Sequence, residues 1–455
     1  MCRVVLKFGG SLLRSGSDYL RLVREVRKYL DSGCEVVVVV SAMKGVTDLL
    51  ETLARPCEDW YDKVLYIREL HAKVIRELGL SSTLEKEVMG KLSGLLEELY
   101  RTVEAINVLK ETSPRVRDYV LSFGERLSVL VAWAAFTKCG IESVHLTGRE
   151  AGIVTDERYG EATPIMDMSR KLVNETLGKF LKAKIVPIVT GFIAGTPDGK
   201  ITTLGRGGSD YTATLLAALL GADRVVLYTD VPGIMTGDPK YVNNPRVVPN
   251  LSYDEAIICA KLGAKRLHPR TFEPVKRTNV KTVITSPGVE ERTVITREKT
   301  APPLKLVTVL ERNDLVKAQV PEKKLDEILV ELSINLSKHG ISDLGIMSYS
   351  ELDNSITIIA REELLNKILN VLTNLQTRGL VRDVQYIHYV SLVSIVGYGV
   401  SDLSLLSPFL RQLENIDTIF TSMFNSAFTI AVPSDKSIEA LVKLHNELIR
   451  QWQQR

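Results

Sequence analysis

Over its first 300 residues the chain alternates short β-branched runs with long stretches of helical spacing, and this rhythm limits the possible folds most strongly. The nearly continuous apolar run at residues 35–40 is typical of a strand buried on both faces of a parallel sheet. Further strands are predicted at residues 4–7, 143–146, 185–189, 224–228 and 280–285, the last of them closing the sheet. Strands that alternate with helices predict an α/β fold, with a mostly parallel sheet sandwiched by helices.

A second region begins after the adjacent prolines Pro302 and Pro303, which are typical of a linker. Strands are then predicted at residues 304–310, 355–360, 391–396, 418–422 and 427–432, and helices at residues 325–338, 362–374, 403–413 and 437–452. Two α+β units of the βαββαβ type fit this length. We therefore predict one domain at residues 1–300 and two small units within residues 301–455, at about 304–385 and 386–455.

Charge and hydropathy exclude several classes of protein. Lys and Arg number 58 against 55 Asp and Glu, and a net charge of +3 gives no basic surface for nucleic acid. The longest apolar runs, at residues 129–136 and 215–220, are far shorter than a membrane-spanning helix. The five cysteines are scattered and lack C-x-x-C spacing, so we expect neither a disulfide nor a zinc site. These features predict a cytoplasmic protein that binds neither nucleic acid nor a membrane.

The first candidate site follows the first predicted strand, where Lys7 is followed by Gly9, Gly10 and Ser11. Glycines at this position let backbone N–H groups approach an anion, and a following helix adds its positive N-terminal end. A lysine beside such a loop suits a transferred phosphoryl group. Two glycines after a strand can equally form a tight turn, so the pattern alone leaves both readings open.

A stronger candidate is Thr-Leu-Gly-Arg-Gly-Gly-Ser-Asp at residues 203–210, just before a helix predicted at residues 211–220. A helix N-cap at Ser209 or Asp210, with the glycines forming a turn, explains part of it. It does not explain Arg206, whose planar guanidinium suits a carboxylate or a phosphate. The sequence contains no P-loop, protein-kinase or usable dinucleotide motif.

Further polar segments follow predicted strands or lie in helical stretches, at residues 41–47, 122–126, 229–239 and 263–269. Open α/β sheets bind ligands at the carboxyl ends of their strands, which favours a functional reading. Each residue also has a plainer one. Glu125 and Lys265 could be solvated charges, Asp230 could lie in a turn, and His268 could be structural.

In this order the segments KFGGS, SAMKGVTDLL, LSFGERLS, TLGRGGSDYTA, YTDVPGIMTGDP and LGAKRLHPRT resemble those of aspartate kinases in the amino-acid-kinase superfamily. The tail resembles, more loosely, the tandem ACT regulatory region of the same enzymes. The resemblance implies an amino-acid-kinase fold followed by two ferredoxin-like α+β ACT units. It also implies transfer of the ATP γ-phosphoryl to the β-carboxylate of L-aspartate. This reaction gives 4-phospho-L-aspartate and ADP, the first step of lysine, threonine and methionine biosynthesis.

The matched motifs imply a role for each candidate residue. Residues implied to be catalytic are Lys7, Asp210 and Lys265, with Asp210 either orienting Lys7 or contacting the substrate ammonium. Residues implied to bind substrate are Thr47, Glu125, Arg206, Gly207 and Ser209, with Arg206 on the α-carboxylate and Glu125 on the ammonium. Residues implied to bind the nucleotide are Gly9, Gly10, Ser11, Thr229, Asp230, Met235 and Lys240. The acceptor carboxylate is already ionised near neutral pH, so no general base is needed. Mg²⁺ is expected to arrive with ATP, held by phosphates and water and without a named protein ligand.

The tail resemblance implies an effector site for lysine or threonine. Its expected residues are Ser342, Asp343, Ser350 and Glu351. The alternative is that the tail serves only dimerisation or as a scaffold. In either case we expect a homodimer or a higher homo-oligomer formed through the ACT region.

Two other functions remain open. One is a kinase of the same fold for another amino-acid carboxylate, such as glutamate or acetylglutamate. The other is a catalytically silent amino-acid sensor. The presence of Arg206 with Glu125 favours a free α-amino acid as substrate, and the presence of Lys7 and Asp210 argues against a silent site.

Overall fold

The computed structural model describes residues 2–264, 268–290, 292–321, 325–338, 346–350, 354–424 and 426–454. The chain forms two compact units. The first unit comprises Met1–Ile234, Val247–Tyr253 and Leu267–Glu298, and the second comprises Met235–Arg246, Asp254–Arg266 and Lys299–Arg455. Two segments that precede the double proline therefore pack with the tail.

The described residues alternate strands and helices along most of the chain. In chain order the strands are β1 (Arg3–Phe8), β2 (Glu35–Val40), β3 (Ser143–Leu146), β4 (Val186–Thr190), β5 (Ile193–Gly195), β6 (Ile201–Thr203), β7 (Arg224–Tyr228), β8 (Asn250–Ser252), β9 (Lys281–Thr285), β10 (Arg292–Thr296), β11 (Leu306–Gln319), β12 (Ile346–Ser350), β13 (Ser355–Arg361), β14 (Asp383–Val396), β15 (Phe420–Phe424) and β16 (Ala427–Pro433). The helices are α1 (Gly16–Asp31), α2 (Val46–Leu53), α3 (Trp60–Glu77), α4 (Ser82–Leu109), α5 (Pro114–Lys138), α6 (Met166–Lys182), α7 (Gly208–Leu220), α8 (Tyr253–Lys261), α9 (Glu273–Lys276), α10 (Leu325–Lys338), α11 (Glu362–Thr377), α12 (Leu403–Arg411) and α13 (Ser437–Gln453).

The first unit is built on an eight-stranded sheet in the order β3-β4-β2-β1-β7-β9-β10-β8. The strands from β3 to β9 in this order pair in parallel, which confirms the predicted α/β class. The prediction that residues 280–285 form the last strand is wrong, because β10 pairs antiparallel with β9 and β8 follows it. These two strands are short and β10 is only partly buried, so their apolar pattern is weak.

The central helix α5 is long and apolar enough to cross a membrane, but most of its apolar stretch is buried within the protein. It packs against α1, α2, α3 and α4 and against the sheet. Burial on every side explains its apolar composition, as in the core helix of a globular unit.

Two of the five cysteines form a disulfide, Cys2–Cys34, so the expectation that all cysteines are unpaired is wrong. The parallel register pairs Arg3 of β1 with Glu35 of β2, which places the two preceding cysteines side by side with their Cα atoms 4.6 Å apart. Spacing along the chain could not show this, because the proximity depends on strand register. The cysteines therefore no longer support the prediction of a reducing compartment.

We expect reduction of the Cys2–Cys34 disulfide to destabilise the protein. The bond closes a loop with a sequence separation of 32 residues, and chain-entropy arguments give such a cross-link about 3.7 kcal/mol of unfolding free energy. Denaturation with and without a reductant measures the loss, and Cys34→Ser should make the protein insensitive to the reductant. Cys57→Ser, which alters a free cysteine, is the control and should retain the full reductant effect. Equal stability of the wild type in both conditions would contradict the prediction.

The second unit is built on one antiparallel sheet of six strands in the order β12-β13-β11-β14-β16-β15. β11 and β14 are each 14 residues long and run through both halves of this sheet. Near one end they pack with α12 and α13, and near the other with α10 and α11, giving two α+β halves. The first predicted strand, at residues 304–310, is thus only the start of a longer one, because β11 continues past the irregular pairing between Leu310 and Leu315.

Candidate functional site

The candidate site lies at the carboxyl edge of the parallel sheet in the first unit. In the strand register Phe8 is opposite both Val40 and Tyr228, and Val40 is also opposite Thr190. Four neighbouring strands therefore end at one level. The segments that follow them carry several of the residues singled out in the sequence, so one edge of the sheet gathers them.

Lys7 and Asp210 form an ion pair at this edge. Lys7 projects from β1 and is buried, and its Nζ lies 2.5 Å from Oδ1 of Asp210 in the first turn of α7. A Cβ at Gly9 would lie 3.3 Å from the same Nζ, so the glycine leaves the amine room. A lysine amine is thereby held beside the N-terminal end of a helix, where negative charge is stabilised.

The loop after β1 packs tightly against the loop after β2. A side chain at Gly10 would place its Cβ 2.7 Å from the carbonyl oxygen of Ala42, closer than any normal contact. Gly10 begins a short 3-10 helix that contains the half-buried Ser11, and the amide of Gly9 donates to the carbonyl of Tyr228 at 3.3 Å. The glycines are needed here for close backbone approach.

Glu125 is a buried carboxyl group on α5. Its Oε1 accepts a hydrogen bond from the amide of Ala42 at 3.1 Å, and only 4% of the residue is exposed. Burial raises the pKa of Glu125 to about 8, against the lowering effects of the Ala42 amide and the charge on Lys7. The neighbouring Gly124 allows this approach, because its Cβ would lie 2.8 Å from that of Ala42.

The arginine loop, residues 204–207, leads into α7 with Arg206 exposed at its tip. Gly205 and Gly207 have φ values of 78° and 73°, a conformation that favours glycine. Gly207 is the N-cap and no side chain caps the helix, so the reading of Ser209 or Asp210 as the cap is wrong. Both residues lie in the first turn instead, since α7 begins at Gly208.

Ser209 packs against the turn that follows β4. A Cβ on Gly191 would lie 2.5 Å from the Cβ of Ser209, so the absence of a side chain there makes room for the serine. Gly191 was not predicted to have a role, although its position directly after a buried strand was a usable signal. This contact brings the first turn of α7 to the same edge as β4.

Thr47, Thr229 and Asp230 also follow strands of this sheet. Thr47 is exposed in the first turn of α2. Thr229 is half-buried, its amide donates to the carbonyl of Thr285 at 2.8 Å, and its hydroxyl donates to Oδ1 of Asp230 at 3.1 Å. These residues offer hydroxyl and carboxylate oxygens at the carboxyl ends of β2 and β7.

The remaining candidates lie elsewhere in the chain. Met235 and Lys240 belong to the second unit, where Lys240 donates to the hydroxyl of Tyr241 at 3.0 Å, and this contact raises the pKa of the lysine. Ser350 ends β12 and pairs with Ser355. The candidates Lys265, Ser342, Asp343 and Glu351 lie outside the described residues.

One buried residue that the sequence reading missed organises the arginine loop. Asp118 is fully buried on α5, two helical turns before Glu125. It accepts hydrogen bonds from the amide and hydroxyl of Thr203 and from the amide of Gly160. A seven-residue spacing from Glu125, which keeps both side chains on one helix face, was the available signal.

This fold and site match a known family. A family model described as "Amino acid kinase family" matches residues 2–286, more than half of the chain. The chain therefore belongs to the amino acid kinase family.

Relatives with near full-length similarity are aspartokinases. The chain is 31% identical to "Aspartokinase" of Geobacillus stearothermophilus, over 97% of this chain and 96% of the relative. It is 29% identical to "Lysine-sensitive aspartokinase 3" of Escherichia coli strain K12, over 98% and 99% of the two chains. The crystal structure of E. coli aspartokinase III with aspartate and ADP superposes with a TM-score of 0.83 at 26% identity, covering 98% of this chain and 99% of that one. These similarities extend over both units.

Proposed function

We propose that this chain is an aspartate kinase and that the carboxyl edge of the first sheet is its active site. One oxygen of the aspartate β-carboxylate attacks the γ-phosphorus of ATP. An O–P bond forms, the bond to the bridging oxygen breaks, and its electron pair leaves with ADP. The observation that carries the proposal is the buried Lys7–Asp210 pair, held at the same edge as Glu125 and the arginine loop.

The two ends of the amino acid are recognised by opposite charges. Arg206 binds the α-carboxylate with its planar guanidinium, and Glu125 receives the α-ammonium. Thr47 and Ser209 donate hydroxyl hydrogen bonds, and Gly207 lets the backbone approach the substrate. Recognition of both α-groups favours a free amino acid over an acetylated one.

Lys7 stabilises negative charge on the transferred phosphoryl group, and Asp210 orients Lys7. The amide of Gly10 and the hydroxyl of Ser11 hold phosphate oxygens, and Gly9, whose own amide donates to Tyr228, leaves room for the phosphate beside Lys7. The matched motif supports a catalytic role for Lys265. Thr229 and Asp230 line the nucleotide, and the matched motifs support nucleotide-binding roles for Met235 and Lys240. Catalysis by positioning and charge stabilisation suits a phosphoryl transfer whose nucleophile needs no base.

Mg²⁺ fits this site as a partner of the nucleotide rather than of the protein. Among the described residues, no group of three or more His, Cys, Asp or Glu side chains could hold a metal ion by itself. Asp210 is paired with Lys7, and Glu125 accepts the Ala42 amide. Magnesium that arrives on ATP phosphates would neutralise their charge while keeping water ligands, as it prefers.

The activity is tested by trapping the acyl phosphate with hydroxylamine. With ATP and Mg²⁺, aspartate should give its β-hydroxamate, whereas glutamate and N-acetylglutamate should give none. Hydroxamate formation from glutamate in preference to aspartate would assign the site to another amino-acid carboxylate. No product from any of the three would contradict a kinase function.

We expect activity at low aspartate to rise with pH because Glu125 must be ionised to receive an ammonium group. Its pKa of about 8 leaves it mostly protonated at neutral pH in the free protein. Since kcat/KM reports ionisations of the free enzyme, kcat/KM for aspartate should increase between about pH 6.5 and 8.5. Glu125→Gln should lose most of the activity and this dependence, and an unchanged profile in that variant would contradict the role.

The same ionisation predicts a stability effect of opposite direction. The folded protein keeps a proton on Glu125 between its ordinary pKa near 4.5 and its raised pKa of about 8, whereas the unfolded chain has lost it. The contribution of Glu125 to stability therefore falls as pH rises through this window. Thermal melts at pH 6 and 9 should show Glu125→Gln gaining stability relative to the wild type at the higher pH.

Residues 301–455 are proposed to regulate the catalytic residues of 1–300, through feedback inhibition by lysine or threonine. The support is similarity to E. coli aspartokinase III, whose structure has also been solved with lysine and aspartate. Ser350, with Ser342, Asp343 and Glu351, is the proposed effector site. Rates at subsaturating aspartate, with each amino acid alone and with both, test this, and unchanged rates would contradict it.

A cytoplasmic location is proposed with this biosynthetic role.

A second copy of the chain is proposed to cover the first half of β14. Residues 383–387 pair with β11, whereas β16 pairs only with residues 390–396, so this edge carries no strand within the described chain. Tyr386, Ile387 and Tyr389 are exposed there. An apolar strand edge of this kind invites pairing with another chain, and an identical edge can pair with it antiparallel.

We expect Ile387→Asp to weaken self-association. A charge on this edge opposes strand addition and the burial of apolar surface. Light scattering coupled to size-exclusion chromatography should show an oligomer for the wild type and a smaller species for the variant at the same concentration. Leu403→Asp, which changes an exposed leucine away from this edge, is the control and should leave the mass unchanged. A wild type that is monomeric at all concentrations would contradict the proposal.

A further inference from the structure

Asp118 is a buried carboxylate whose oxygens accept hydrogen bonds from Thr203 and Gly160. Its Oδ2 accepts the amide of Thr203 at 2.8 Å and the amide of Gly160 at 2.9 Å, and its Oδ1 accepts the hydroxyl of Thr203 at 2.9 Å. Asp118 and Thr203 are both fully buried. Burying a carboxylate is costly, and burial indeed raises the pKa of Asp118, so these three hydrogen bonds have to compensate.

Thr203 is the last residue before the arginine loop. Its carbonyl accepts the amide of Ala162 at 2.9 Å, so its donors and its acceptor are all engaged. Arg206 follows only three residues later. The point from which the arginine loop leaves the sheet is therefore fixed by Asp118.

The arginine loop is held at further points as well. The amide of Leu204 donates to the carbonyl of Phe192 at 2.9 Å, and Arg270 donates to the carbonyl of Leu204 at 3.3 Å. A Cβ on Gly205 would lie 3.1 Å from the carbonyl oxygen of Gly160. The amide of the same glycine donates to Asp118. Asp118 thus fixes both the start of the loop and the segment that the loop packs against.

Asp118 and Glu125 belong to the same helix and lie seven residues apart, which places them on one face about 10 Å apart along the axis. Glu125 is the proposed partner of the substrate ammonium, and Arg206 that of the α-carboxylate. One rigid helix thereby sets the position of both groups. Misplacement of a substrate-binding group by about 1 Å is enough to cost much of its contribution.

We propose that Asp118 is a positioning residue for aspartate binding, which holds the arginine loop at a fixed distance from Glu125. The inference rests on the proposed function, since it assumes that Arg206 binds the α-carboxylate. Asp118 contacts neither reactant. Its effect is therefore expected in the KM for aspartate and not in the KM for ATP.

Asp118→Ala removes all three acceptors and should raise the KM for aspartate about tenfold or more, with the KM for ATP changed by less than about twofold. Asp118→Asn should restore a KM within about threefold of the wild type, because its amide oxygen can accept both backbone amides while its nitrogen donates to the Thr203 hydroxyl. Calorimetric binding of aspartate should show the same order of affinities without turnover.

Thr203 gives a milder pair of variants in case Asp118→Ala does not fold. Thr203→Val removes one hydrogen bond and should raise the KM for aspartate, whereas Thr203→Ser keeps the hydroxyl and should match the wild type. Ser169→Ala is the control for the loss of a buried hydrogen bond, since the hydroxyl of Ser169 bonds the backbone of Val154. It should lower stability and leave both KM values unchanged.

Two results from these variants would overturn the inference. In the first, the KM for aspartate stays within about twofold of the wild type in both Asp118→Ala and Thr203→Val. In the second, the KM values for aspartate and ATP rise together, as expected of general destabilisation. Arg206→Ala distinguishes a failure of the positioning role of Asp118 from a failure of the proposed substrate site. If it raises the KM for aspartate while Asp118→Ala does not, only the positioning role fails, and if it has no effect, the proposed site fails and the positioning role fails with it.

Discussion

Replacement of Lys7 by alanine is expected to lower kcat by about a thousandfold, while the protein remains folded. The Lys7 amine is buried and is held by Asp210 at the end of β1. A preorganised charge in a site with little water stabilises developing negative charge much more strongly than an exposed one. Because this stabilisation belongs to the transition state, kcat should fall more than the KM for either substrate rises.

Lys28→Ala is a matched control for this substitution. Lys28 also forms a lysine–carboxylate pair in the first unit, with Glu25 at 2.9 Å, but its side chain is largely exposed. Lys28 lies in the last turn of α1 and not in a segment that follows a strand at the candidate site, so the variant should retain wild-type kinetics. If Lys7→Ala keeps a kcat within about tenfold of the wild type, Lys7 does not act on the phosphoryl group.

Replacement of Arg206 by alanine is expected to raise the KM for aspartate by about 30-fold to 100-fold. This range corresponds to a net loss of about 2–2.7 kcal/mol, which lies within the about 1.5–3 kcal/mol that a hydrogen bond to a charged partner contributes. Arg206 is exposed at the tip of its loop, so its removal should cost the fold little. The thermal midpoint should stay close to that of the wild type.

Two further variants sharpen this prediction. Arg206→Lys keeps the charge but cannot bind in a planar, bidentate way, so its KM should lie between those of the wild type and alanine. Arg158→Ala, which removes an exposed arginine paired with Asp156, is the control and should leave the KM unchanged. An unchanged KM in Arg206→Ala would remove the basis for α-carboxylate recognition.

Much of the first unit could be predicted because its pattern is local. Buried parallel strands such as β2 carry continuous apolar runs, and the glycine-rich turns after β1 and before α7 are visible as short motifs. The short strands β8 and β10 were missed, because three residues of β8 are too few to show a period and β10 is only partly buried.

The features that escaped prediction depend on contacts distant in sequence. The Cys2–Cys34 disulfide follows from the register of β1 and β2. The continuous sheet of the second unit follows from the pairing of β11 with β14 over their whole length. No local sequence pattern predicts that Asp118 accepts hydrogen bonds from Thr203, which lies 85 residues away in the chain. Periodicity shows which face of an element is buried, but not which element covers it.

The candidate site shows the same division. Motifs identified Lys7, Glu125 and Arg206, but the ion pair between Lys7 and Asp210 and the raised pKa of Glu125 required the folded arrangement. The packing of residues 235–246 with the second unit was also not visible in the sequence. Residue types indicate a chemistry, whereas burial and neighbours decide how each group carries it out.

The most direct test of the central claim is the identity of the carboxylate that receives the phosphoryl group. The purified protein is incubated with ATP, Mg²⁺ and L-aspartate, the acyl phosphate is reduced with borohydride, and the amino alcohol is identified by mass spectrometry. Phosphorylation of the β-carboxylate predicts homoserine, which should be absent with Lys7→Ala. Formation of 3-amino-4-hydroxybutanoate, or of no reduced product from the wild type, would contradict the account.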